Sequence, residues 1–178
     1  MGDSFITIVA IVLVAILMFI FPLMAISEQS DIIAQSSVQK LTADFVDEVR
    51  TTGKITAEDY SKYEESLAAT GNSYEVEMEL QILDENVGVK TAQADLTKIG
   101  ENQYYTKYTT QILQELGVGT PAVGEELKLK EGDIISVSVK NTNTTISQIL
   151  RNFMYRVTGN TTYQIAAQQS GIVTVTAK

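Results

Sequence analysis

The sequence predicts an α+β fold. A long N-terminal helix, membrane-spanning and then amphipathic, is followed by an antiparallel sheet head with short helices. Three observations predict it. "FITIVAIVLVAILMFIFPLMAI", residues 5–26, is an apolar run without a charge. A helix-spaced apolar stripe follows in a segment that has neither Gly nor Pro, Ser27 to Thr52. Later segments alternate with period two, the mark of strands with one buried face.

The apolar run has 22 residues. As a helix it spans roughly 33 Å, enough for a bilayer core of roughly 30 Å. Thr7 is its one clearly polar residue, and Asp3 is the only charged side chain before Glu28. Phe5, Ile8, Val12, Ile16 and Phe19, with Pro22, are the residues expected to carry membrane insertion and helix packing. A secretory signal has a basic start, a shorter core and a small-x-small cleavage site. No Lys or Arg precedes this run, and "FPLMAISEQ" is a poor cleavage site. A retained anchor over residues 1–26 is therefore expected, ahead of a cleaved leader or a buried soluble helix. Its small residues are few (Ala10, Ala15 and Ala25) and it lacks GxxxG, so tight self-dimerisation is not expected. The first basic residue is Lys40, so flanking charge says little about orientation.

Residues 27–52 are expected to continue the anchor as an amphipathic helix. Val38, Leu41, Phe45 and Val49 step by three, four and four, which puts them on one face for packing against a head. Gly53 stops the helix. Pro22 permits a kink, or a break between Pro22 and Ser30.

Residues 53–178 form the head. In "ITAEDYSKYEESLAAT", Thr56 and Asp59 match a capping box, and Tyr60, Tyr63 and Leu67 share a helix face. "SYEVEMELQIL" alternates Tyr74, Val76, Met78, Leu80 and Ile82 with polar residues, a half-buried strand. Its glutamates form either a solvated face or a carboxylate row. "DENVG" reads as a turn, and Val87 to Ala94 as a return strand. "NQYYTKYTTQILQEL" reads as a helix with Tyr105, Tyr108, Ile112 and Leu116 on one face, buried or adhesive. "EELKLKEGDIISVSVKNT" reads as a hairpin turning at Glu131-Gly132-Asp133. "TTISQILRNFMYRV" reads as a short helix capped by Thr144 or Thr145, with Ile146, Ile149, Leu150 and Phe153 on its buried face. "TTYQIAAQ" and "GIVTVTA" read as two strands around Gln169-Ser170-Gly171.

Composition excludes several functions. The chain has 178 residues and a net charge of −9, which argues against nucleic acid as a partner and against electrostatic docking on anionic lipid. Without Cys or His, disulfides, thiolate zinc sites and Ser-His-Asp or Cys-His catalysis are impossible. No nucleotide, hydrolase or calcium-loop motif occurs. No catalytic residue, metal site, cofactor or small-molecule substrate is expected, and the protein is read as a non-enzyme. Arg151 and Arg156 bracket "NFMY". They complement a helix dipole, or form a candidate subunit contact. Asn143-Thr144-Thr145 and Asn160-Thr161-Thr162 match the glycosylation acceptor pattern.

An apolar helix running into an amphipathic helix and a small α+β head resembles the plan of type IV pilins and pseudopilins. Pro22 resembles the helix-loosening proline of many pilins. "ADFVDEVRTTGKIT", "LAATGNSYEVEMELQ" and "LKLKEGDIISVSVKNTNTTISQIL" resemble pilin-like proteins of Tad (Flp) pilus loci in Gram-positive bacteria. The resemblance implies a single-pass membrane protein with an extracellular head. Its partners would be membrane lipid and pilus or secretion-system subunits. The family's glutamate at the fifth mature position has no counterpart: cleavage after Gly2 would put Thr7 there. A minor or accessory subunit is the role implied. A tethered extracellular binding or adhesion module that does not polymerise is the alternative, and a secreted domain with a cleaved leader the third reading.

Overall fold

The computed structural model describes residues 2–84, 104–118, 126–145, 148–149, 152 and 164–177. Helix α1 runs unbroken from Gly2 to Thr52. Its 51 residues make a rod of roughly 77 Å. Pro22 lies inside it. The ring leaves the Met18 carbonyl without its helical donor, yet the helix continues in one piece. Gly53 ends it with φ +70, its N–H donating to the Val49 carbonyl at 2.9 Å.

Strand β1 (Lys54–Ile55) leads into helix α2 (Ala57–Ala68). Thr56 caps α2 with its hydroxyl, which accepts from the Asp59 N–H at 3.1 Å, and Asp59 returns the bond to the Thr56 N–H. Tyr60, Tyr63 and Leu67 are buried, as their spacing predicts. Strand β2 (Tyr74–Leu83) follows, then β3 (Tyr104–Tyr108), helix α3 (Thr109–Glu115), β4 (Leu127–Lys128), β5 (Ile134–Asn141) and β6 (Ala166–Ile172). Four strands form an antiparallel sheet in the order β3-β2-β5-β6, and β1 pairs with β4 in a separate ribbon. The α+β arrangement is the one the sequence predicts.

One face of the sheet is core. Met78 and Leu80 from β2, Ile135, Val137 and Val139 from β5, and Ala167 from β6 are buried beneath α1, α2 and α3. The other face carries Glu75, Glu77 and Glu79 across from Lys140, Ser138 and Ser136. Glu77 takes an ion pair from Lys140 at 3.4 Å. The glutamates therefore line an open polar face.

Three local readings are corrected. Tyr104–Tyr108 is a strand, registered Leu80↔Lys107 and Ile82↔Tyr105 on β2; helix begins only at Thr109. Aromatic residues favour strands, and an available sheet edge outweighs the helix-like spacing. Leu127–Lys128 does not form a hairpin with β5, because β2 and β6 already occupy both edges of β5; it pairs with β1 instead. Gln169-Ser170-Gly171 is not a turn. β6 passes straight through it, opposite Ile135, Ser136 and Val137. The expected strand Val87–Ala94 lies outside the described residues, as do Arg151 and Arg156. Of "TTISQILRNFMYRV", Gln148, Ile149 and Asn152 are helical, and Ile149 is exposed where its spacing predicts a buried position; most of the rest lies outside the described residues.

Candidate functional site

The candidate site is α1 itself, which has two differently built halves. In the first, every described residue from Ser4 to Leu23 is exposed. Phe5, Ile8, Val12, Ile16 and Phe19 lie along one face of it by their helical spacing, and Phe5 and Phe19 keep 69% and 77% of their surface open. Among the described residues, nothing from the head covers this half. It is long and apolar enough to cross a membrane. Fifteen of its residues between 5 and 26 are Leu, Ile, Phe or Val. At about 0.3–0.6 kcal/mol each near a helix centre, they favour insertion by several kcal/mol.

The second half of α1 is part of the head's core. Val38, Phe45 and Val49 are buried, and Leu41 is half-buried against the same cluster. Phe45 stacks on Tyr63 of α2, ring centres 4.5 Å apart and planes 7° from parallel. Burying such pairs is the main adhesive between a helix and its neighbours. Ala34 and Val46 are buried as well, beyond the predicted stripe.

Four polar residues on α1, which the apolar stripe does not reveal, fix its position. Asp31 is buried and accepts from the Thr145 hydroxyl at 2.9 Å. That same hydroxyl accepts from the Gln148 N–H and so caps the short helical piece at Gln148–Ile149. Gln35 bonds both backbone groups of Ala166: its Oε1 accepts from the Ala166 N–H at 3.0 Å, and its Nε2 donates to the Ala166 carbonyl. Thr42 is buried, donates to the Val38 carbonyl at 2.8 Å and accepts from the Tyr63 hydroxyl at 2.9 Å. Burial pushes the Tyr63 phenol up to about 12, against the opposing effect of Thr42. Arg50 donates from Nε to the Ile172 carbonyl at 3.0 Å, and its own carbonyl accepts from the Thr174 N–H at 3.0 Å.

Gln35 and Arg50 meet β6 near its two ends. The 15 helical steps from Gln35 to Arg50 cover roughly 22 Å, close to the roughly 20 Å of strand from Ala166 to Ile172. α1 thus runs in the same direction as β6 and is pinned to its outer edge twice. The pairing with β5 turns the backbone of alternate β6 residues outward. Ala166 and Ile172 are among these, so the clasps occupy groups that would otherwise be free to template a foreign strand.

Among the described residues, chemistry is sparse elsewhere. A basin of about 590 Å³ is open and lies on the polar sheet face beside Glu77, Glu79, Tyr108 and Lys140. Among the described residues, no three carboxylates converge on a metal position. The buried carboxylate of Asp133 accepts from the Leu83 and Lys130 N–H groups, which gives it a turn-holding role. No protein family, curated protein or solved structure matches the chain.

Proposed function

We propose that this chain is a membrane-anchored, pilin-like accessory subunit of a type IV or Tad-like pilus or secretion assembly, with a structural and non-enzymatic role and its head outside the cell. The observation that carries the reading is the continuity of α1. One helix provides an uncovered apolar rod and, without a joint, the core of the head. A module that merely needs tethering works as well with a flexible link between anchor and head. An assembly subunit needs its helix and head held at a fixed angle, so that lateral contacts made by the rod place each head in a defined position.

Apolar rods in lipid associate by van der Waals packing and interhelical hydrogen bonds, since lipid supplies no hydrophobic drive between them. Phe5, Ile8, Val12, Ile16 and Phe19 would make those contacts, with membrane lipid first and neighbouring subunits after. Fractionation of cells into membrane and sheared surface material tests the reading. The expected result is full-length or Gly2-processed chain in both fractions, with site-directed crosslinks from Val12 to another subunit. Chain confined to membranes and without such crosslinks sinks the assembly role. Mature chain beginning near Ser27 sinks the anchor as well.

A further inference from the structure

We infer that the base of the head rests in the headgroup layer of the bilayer that α1 spans, with Ile149 as its inserted side chain. The inference rests on α1 being retained as an anchor, and does not need the assembly role.

The end of the head nearest the apolar rod is well defined. Ala166 is held by Gln35 and Thr145 by Asp31, so the loops around them sit level with residues 31–35 of α1. The loop after α2 joins them there, because Thr142 N–H donates to the Ser73 carbonyl at 2.8 Å. Asp31 is five residues beyond Ile26, about 7–8 Å along the helix. The polar layer on each side of a bilayer is about 5–8 Å thick, from a core of about 30 Å within a total of about 40–45 Å. If Ile26 marks the edge of the core, the base of the head falls within that layer.

The base has the surface such a position needs. Residues 69–74, 141–145 and 164–166 include no charged side chain, in a protein of net charge −9. Tyr74, of a residue type enriched at membrane interfaces, stands among them. From Asn141 to the end the sequence has no Asp or Glu at all, while Arg151 and Arg156 fall in the same stretch. Glu75, Glu77 and Glu79 lie beyond the base on the open sheet face, while of the two acids of α1 near its level, Glu28 and Asp31, Asp31 is buried on the Thr145 hydroxyl. Ile149 is 57% exposed one turn beyond Thr145, with its N–H bonded to the Thr145 carbonyl. Ile32 and Ile33 are equally open on α1 at the same level. A lipid interface would cover all three isoleucines, in continuity with the span itself.

The absence of cysteine makes the test direct. Single variants Val12→Cys, Ile149→Cys and Glu131→Cys of the full chain carry an environment-sensitive fluorophore in phosphatidylcholine–phosphatidylglycerol nanodiscs. Glu131 lies in the turn at the opposite end of the head. The label at 12 should be quenched by lipid spin-labelled in the acyl chain. The label at 149 should be quenched by headgroup-labelled lipid, with aqueous iodide access reduced to about half of that at 131. Equal iodide access at 149 and 131, with the label at 12 still quenched by acyl-chain probes, overturns the inference and leaves the anchor standing. Iodide access at 12 overturns both. Thr144→Cys, exposed on the same surface, repeats the measurement if Ile149→Cys does not fold, with the same results expected.

Discussion

Gln35 treats Ala166 as a neighbouring strand would. Its carboxamide offers one acceptor and one donor, and Ala166 presents one N–H and one carbonyl outward from β6. A helix side chain thereby closes the edge of a sheet 131 residues further along the chain. The bond pair also locks the direction of α1 relative to β6, because Arg50 repeats the device at the other end of the strand.

Substitution of Gln35 separates this pairing from simple packing. Gln35→Ala loses two hydrogen bonds at a site open to water, so destabilisation of about 1–2 kcal/mol is expected. Gln35→Glu keeps the acceptor for the Ala166 N–H but faces the carbonyl with a second set of lone pairs. It should be worse than alanine at neutral pH and recover part of the loss on acidification, when the protonated carboxyl can donate again. The neutral form is the one the fold favours, so its stabilisation is present at low pH and fades as pH rises through the carboxylate range. Denaturant midpoints of the two variants across pH check this. Identical profiles would mean that Gln35 does not pair with β6.

The buried Thr42–Tyr63 contact predicts an alkaline transition. The Tyr63 phenol moves from its ordinary value of 10.0 to about 12, chiefly through burial. Tyr60 moves the same way, through burial first and then its bond to Glu64. A raised phenol pKa leaves stability unaffected below pH 10, where both folded and unfolded chains hold the proton. Stability then falls between pH 10 and 12 as the unfolded chain ionises first, by roughly 2–3 kcal/mol for Tyr63. Thr42→Val should cost about 1–3 kcal/mol at neutral pH by leaving the Tyr63 hydroxyl without an acceptor. Tyrosinate absorbance followed alongside unfolding measures both effects. Ionisation of Tyr63 near 10 in the folded protein would contradict the buried contact.

Most of the architecture is legible in the sequence because burial patterns are local. The run from Phe5 to Ile26 needs no partner to be recognised, and the alternation of β2 and the capping box at Thr56 are complete within a few residues. What the sequence hides are relationships across the chain. Asp31, Gln35, Thr42 and Arg50 read as solvent-facing polar residues of an amphipathic helix, while three of their partners stand at Thr145, Ala166 and Ile172. Their positions beside Ala34, Val38, Phe45 and Val49 are the only local sign. Tyr104–Tyr108 and Gln169–Gly171 mislead for a related reason. Helix spacing in the first and turn-forming residues in the second are genuine preferences, but each segment has a sheet edge waiting for it, and ladder bonds outweigh a weak local bias.

The junction behind α1 depends on two backbone conditions at one glycine. Gly53 has φ +70, and a Cβ there would lie 2.3 Å from the Val175 carbonyl oxygen. Gly71 also has positive φ, at +85, but its Cβ would meet nothing within 4 Å. Gly71→Ala should therefore cost only the conformational term, about 1–2 kcal/mol. Gly53→Ala should cost at least about 1–3 kcal/mol more, because the Val173–Ala177 segment has to retreat. Comparing the two variants by denaturant unfolding isolates the steric part. Equal costs would show that the C-terminal segment is not packed against the end of α1.

The first half of α1 is long and apolar enough to cross a membrane, so one charge at its middle should weaken insertion in proportion to its depth. Ile16 lies near the centre of the run and is half-exposed with no neighbour from the head. Arginine at the centre of a spanning helix costs about 2.5–3.5 kcal/mol on insertion scales. That approaches half of what the run gains, so Ile16→Arg should weaken membrane retention without unfolding the head, whose core begins at Ala34. Ser4→Arg, at the water-facing end, should have little effect because a long side chain there reaches the interface. Alkaline extraction of membranes, with circular dichroism of the released protein, reads both properties. Equal release of the two variants would mean that this segment does not span the bilayer, and a head lost together with the anchor would mean that the two halves of α1 fold as one unit.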